Sequence, residues 1–155
     1  MRNRCKTCNP WQVTDPVGLL THVAREVKLL PATDWVGVVE NDGERLLGVR
    51  QLVPLLGEDT SMDQLEDLFR QCLPSDPDPR GLRPQSAFFV RCRLGRVVPL
   101  GTDHDGWIPF MNSMSMTRLA CADWYLVTDH GWRSLISPNG PMGDQIRLRQ
   151  LAAVR

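Results

Sequence analysis

Two stretches, "TDHD" at 102–105 and "TDHGW" at 128–132, carry residue types that bind metals and move protons. Were the chain an enzyme, Asp103, His104, Asp129 and His130 would be its catalytic candidates, with a histidine as the base. The same letters also spell turns. The first pair precedes a helical pattern, where aspartate accepts hydrogen bonds from free backbone amides. The second directly follows an apolar strand pattern, where Asp-x-Gly reverses the chain. Trp107 and Trp132 would then fasten each turn to the core. The turn reading accounts for Thr, Asp, Gly and Trp together and leaves only the histidines without a role, so it is preferred. A site shared between the two elements is the alternative.

A second set is Arg91, Arg93 and Arg96 in "FFVRCRLGR". Alternate residues of a strand share a face, so Arg91 and Arg93 point together while Cys92 points away from both. Three guanidiniums could clamp a small carboxylate or phosphate ligand through paired hydrogen bonds. More often such a row is a solvated sheet face paired with local acids. Cys5 and Cys8 have the spacing of half a zinc site, but no second pair completes it, so no metal or other cofactor is expected. Neither a nucleophile elbow nor a phosphate loop, a dinucleotide fingerprint or a zincin helix can be read in the sequence.

The elements that must position these residues follow from patterning. Residues 1–13 read as a flexible N-terminal arm. "TDPVGLLTHVAREVKLL" begins a helix with Thr14 or Asp15 as cap, Pro16 in the first turn and Pro31 as its end. Two apolar runs around "NDG" predict a β-hairpin. "TSMDQLEDLFRQCL" is a second helix with capping-box spacing between Ser61 and Gln64. Residues 74–84 hold four prolines and read as an extended loop. "SAFFVRCRLGRVVPL" is a strand expected to turn at Leu94-Gly95 into a short return strand. A partly helical stretch follows, with Pro109 in its first turn, and then the buried strand "ADWYLVT". Residues 137–155 read as a loop and a basic tail. The order predicts a single α/β (α+β) domain over 14–136, with a mixed β-sheet, an N-terminal hairpin and two to three packing helices.

Bulk properties narrow the classes further. The 155 residues carry 42% hydrophobic and 23% charged residues, which fits one globular core. A formal net charge of zero draws the chain neither to nucleic acid nor to an anionic membrane, and gives little protection against self-association. No apolar run suffices for a membrane span, and the start does not resemble a secretory signal. With Cys72, Cys92 and Cys121 inside packed segments, the expected compartment is the reducing cytoplasm.

The helix, the hairpin carrying Glu40 and "FFVRCRLGRVVPLGTDHD" together resemble the JAB/MPN fold. In active members an upstream Glu works with H-x-H-P and a later S-x-x-D to hold a catalytic zinc. Here Arg91 and Arg93 stand at the histidine positions, Leu94 replaces the proline, and Thr102 to Asp105 matches S-x-x-D with altered spacing. The resemblance implies a zinc-less member acting as a scaffold or binding partner, since arginine stays protonated and cannot ligate metal. The chain also resembles small actinobacterial proteins, which implies no particular activity. The expectation is therefore a non-catalytic binding, regulatory or protein-interaction module, with turn tryptophans as interface anchors. A small enzyme or anion binder built on the two TDH elements is the alternative.

Overall fold

Helix α1 (Pro16–Glu26) starts where the sequence places a cap: the Asp15 side chain accepts the Gly18 N–H, and Pro16 occupies the first turn. It stops at Glu26, well short of the expected Pro31. Val27 is already extended, and Val27 and Leu29 pack, partly buried, against the core. The computed structural model describes residues 13–40, 45–53, 55, 57, 60–73, 85–136 and 140–148. Residues 1–12 of the Cys5/Cys8 arm, the "NDG" turn and the 74–84 loop lie outside the described residues, as do Arg149 and Arg155 of the tail; Val13, expected as the end of the arm, is buried in the core on the α1 side.

Strands β1 (Thr33–Glu40) and β2 (Arg45–Leu52) pair antiparallel, as the hairpin reading requires. Helix α2 (Met62–Cys72) is capped by Ser61, whose hydroxyl accepts the Gln64 N–H. Strand β3 (Gln85–Cys92), a 3₁₀ turn (Gly101–His104), helix α3 (Trp107–Met116) and β4 (Ala120–Thr128) follow. The sheet is mixed and six-stranded, in the order β2-β1-β3-β4-β5-β6. Only the β3–β4 pair is parallel, and α3 lies in the crossover between those strands. Beyond the second TDH element the sheet continues in β5 (Gly131–Ser134) and the two-residue β6 (Met142–Gly143). Both strands are too short to leave a periodic signature. Past residue 136, Leu148 is also buried.

Strands β1, β3 and β4 are buried on both faces, which explains their near-continuous apolar runs. On one face α1 packs Leu19, Leu20 and Val23 against Phe88, Val90, Tyr125, Val127 and Trp132. On the other, α2 and α3 pack Leu65, Phe69, Phe110 and Met114 against Val36, Val38, Phe89, Trp124 and Leu126. Phe110 meets Phe69 and Trp124 edge-on, with ring centroids 5.6 and 5.1 Å away. Among the described residues no helix is long and apolar enough to cross a membrane.

One expectation fails between β3 and α3: there is no return strand after Leu94-Gly95. The Arg93 guanidinium donates to the carbonyls of Leu94, Arg96 and Val98. A loop whose carbonyls turn inward around one side chain cannot offer them to a strand ladder.

Candidate functional site

The exit of β3 organises the chemistry-bearing residues. Positions 91, 93 and 95 each hold a Thr-Asp element. Arg91 Nε and Nη2 donate to the two Asp34 carboxylate oxygens at 3.0 and 2.8 Å. Arg93 Nε and Nη2 donate to the two Asp103 oxygens, both at 2.8 Å. The Gly95 N–H donates to Asp129 Oδ1 at 2.8 Å. Two bidentate forks and one backbone bond thus tie "TD" at 33–34, 102–103 and 128–129 to alternate residues of one strand end.

Both forks are shielded. Asp34, Asp103 and Arg91 are buried; Arg91 also donates to the Thr102 carbonyl, and its guanidinium lies 5.4 Å from the Phe89 ring centroid. Burial pushes the Asp103 carboxyl up. The Arg93 side chain, the Leu100 N–H and the charges of Arg93 and Arg91 outweigh that and hold it below the ordinary carboxylate range. The bond to Asp103 in turn raises Arg93. The Arg91/Arg93 row, expected as an anion clamp or as a solvated face paired with local acids, is paired with the chain's own carboxylates but shielded from solvent. Arg96 is exposed on the loop that Arg93 wraps.

The two TDH elements meet this hub differently. Asp103 caps the 3₁₀ turn by accepting the Leu100 N–H at 2.7 Å, while its backbone carbonyl accepts the Trp124 indole N–H at 3.0 Å. Asp129 closes the β4–β5 turn, where Thr128 Oγ1 accepts the His130 N–H. Its carboxyl is lowered, first by the Gly95 N–H. His130 Nδ1 lies 3.3 Å from Asp129 Oδ2, with the imidazole largely in solvent. His104 is exposed as well. The aspartates act as turn and tether residues, and the histidines stand at the surface.

Of the tryptophans expected as interface anchors, Trp132 is not exposed: it packs into the α1-side core and its indole N–H bonds to Gln145. Trp107 is half-buried, its ring 5.1 Å from Trp124. It opens onto a cleft of about 760 Å³ lined by His104, Asp105, Trp107, Ile108, Leu135 and Ile136 among others. That volume suits a small organic ligand. The first TDH element thus borders the cleft through His104 and Asp105, although Asp103 does not line it.

Two buried acids escaped the sequence reading. Asp34 was visible only as part of a third Thr-Asp pair, "TDW", with no local sign of its partner 57 residues away. Asp123 is buried on β4, where it accepts the Ser134 hydroxyl at 2.5 Å and the Trp124 N–H at 2.8 Å. Burial and the Asp123 carboxylate together push the neighbouring Tyr125 phenol up. An aspartate inside "ACADWYLVT" was the available signal.

Glu40 lies at the far end of β1, paired in register with Gln85, whereas Arg91 is in register with Asp34. Six strand positions, roughly 20 Å, separate them. Burial pushes the thiols of Cys72 to about 11 and of Cys92 and Cys121 to about 12, so none is a ready nucleophile. No protein-family model, curated protein or solved structure matches the chain.

Proposed function

We propose that this chain is a non-catalytic binding module that receives a small, largely apolar ligand in the cleft at the start of α3. The observation that carries this reading is the division of labour around β3. The Arg91 and Arg93 guanidiniums are committed to the Asp34 and Asp103 carboxylates, and beside them lies an apolar cleft built on Trp107, Ile108, Leu135 and Ile136. Aromatic and branched side chains favour a planar or aliphatic ligand, and His104 and Asp105 at the margin can orient a polar end. A zinc-less JAB/MPN-like scaffold would be a module of this kind. The buried free thiols fit a reducing compartment, so we place the protein in the cytoplasm.

A second reading rests on the apolar residues near the cleft in sequence. Ile108, Val98 and Leu100 are 71%, 56% and 53% exposed. A partner protein could cover them while inserting one anchor side chain into the cleft.

Titration with the uncharged fluorophore N-phenyl-1-naphthylamine separates these readings. Saturable fluorescence enhancement that is lost in Ile108→Asp and kept in His130→Ala supports the ligand cleft. Equal enhancement in Ile108→Asp, or none in the unaltered protein, would sink it and leave the partner-protein reading.

A further inference from the structure

We infer that the outer edge of β2 is a slot for strand addition by an extended, acidic segment of a partner protein. The starting point is the direction of backbone groups. The Arg93 N–H donates to the Val127 carbonyl, so position 93 faces β4. Alternation then turns Cys92, Val90 and Phe88 toward β1. Their register partners Thr33, Trp35 and Gly37 face β3, which leaves Asp34, Val36 and Val38 facing β2. Those three pair with Leu52, Arg50 and Gly48. The N–H and C=O groups of Val49 and Gln51 therefore point away from the sheet, and β2 is an end strand of the sheet order.

A groove of about 350 Å³ runs along this edge. Five consecutive β2 residues, Leu46 to Arg50, line it, with His22 and Glu26 of α1 on one wall and Gln71 and Cys72 of α2 on the other. The α2 end approaches β2 closely: a Cβ on Gly48 would come within 2.8 Å of the Cys72 carbonyl oxygen. Among the described residues both faces of the edge are thus walled by helices and no strand covers its hydrogen-bonding rim, where the Val49 carbonyl accepts only the Arg50 side chain. This is the geometry by which an extended peptide adds a strand, with main-chain bonds giving affinity.

Charge selects the occupant. Glu26 faces His22 at 3.7 Å, and Arg45 faces Glu40 at 3.7 Å. Arg50 has no carboxylate partner among the described residues and donates only to the Val49 carbonyl, at 3.4 Å. An acidic side chain directly across from Arg50 would supply the missing partner. A second copy of this chain fits worse. The two-fold register that uses Val49 and Gln51 of both copies sets Arg50 directly opposite Arg50, and like charges so placed destabilise a sheet.

The test uses amide-resolved NMR on the full chain and the probe peptide Ac-Thr-Val-Glu-Val-Thr-Val-amide. In the free protein, the Val49 and Gln51 amides should exchange with solvent about a hundredfold faster than those of Arg50 and Leu52. Peptide should slow the first pair and shift their resonances. Exchanging its Glu for Lys should weaken binding about threefold, and Arg50→Glu should reverse that preference. N-methylation of alternate peptide amides, or Gln51→Pro, which removes an outward donor without touching a β1 bond, should abolish binding. Slow Val49 and Gln51 exchange in the free monomer would overturn the inference. So would undiminished binding of the N-methylated peptide, silence at millimolar peptide, or a stable dimer protected along β2.

Discussion

The elements around Asp103 and Asp129 share the letters TDH and differ in almost everything else. Asp103 is enclosed, held by both arms of the Arg93 fork and by the Leu100 N–H, and its own carbonyl receives Trp124. Asp129 sits at a hairpin turn, holds one backbone amide of the 93–98 loop and shares its second oxygen with a solvated histidine. Position in the fold, rather than the motif, decides what an aspartate contributes. One is a buried structural anion and the other a surface tether, although both fasten to the same strand exit.

The sharpest way to break this comparison is to remove the two carboxylates in turn. Asp103→Ala leaves the Arg93 guanidinium unpaired in a largely enclosed site and uncaps the 3₁₀ turn. Truncating one partner of a buried pair is expected to cost about 3 kcal/mol. Urea unfolding should show the midpoint falling steeply with little change in slope. A loss no larger than that of Asp129→Ala would erase the distinction between the two elements.

The next effect concerns the cleft beside the first element. Trp107→Ala removes the edge contact with Trp124 and the stacking on Phe110, with centroids 5.1 and 6.4 Å apart. A half-buried aromatic of this kind should account for about 2 kcal/mol, and fluorophore binding should vanish with it. Retained binding in a folded Trp107→Ala protein would detach the first TDH element from the ligand site.

Acid tests the first element directly. The folded-state Asp103 carboxyl is held below its ordinary range, so its stabilisation is fully present above the unfolded value of about 4. It is lost as pH falls through the lower folded value. Asp103→Asn should be less stable than the parent at neutral pH and should lose less on acidification below about pH 4. Parallel acid limbs for the two proteins would show that Asp103 does not titrate with folding.

How much of this was legible beforehand depended on sequence separation. Caps at Asp15 and Ser61, the apolar runs of β1, β3 and β4, and the mixed sheet follow from periodicity within a few residues of each site. The inward-facing Cys92 between two arginines was legible for the same reason. The Asp34–Arg91 pair was not, since it exists only because β1 and β3 align in register. The missing return strand was hidden similarly: "RVVP" has strand composition, and only the Arg93 side chain wrapping the loop carbonyls overrides it. The duplicated motif was the most misleading signal, because its equivalence in sequence hides that one copy precedes a helix and the other joins two strands.

The smaller effects sharpen the second element. Asp129→Ala frees the Gly95 N–H, so amide exchange at Gly95 should accelerate while the unfolding midpoint moves less than in Asp103→Ala. His130→Ala should do less still. Its imidazole is 59% exposed, and Asp129, which faces it, is already engaged by Gly95. Surface substitutions of this kind stay within about 0.5 kcal/mol. The backbone N–H of residue 130 still reaches Thr128 after the change, so the turn keeps its own hydrogen bond. A loss well beyond that range, or a change in fluorophore affinity, would mean that the second histidine acts on the core or the cleft through contacts its solvated position does not provide. An unchanged midpoint and unchanged affinity would leave the tether to Asp129 alone, and the likeness of the two elements to their wording.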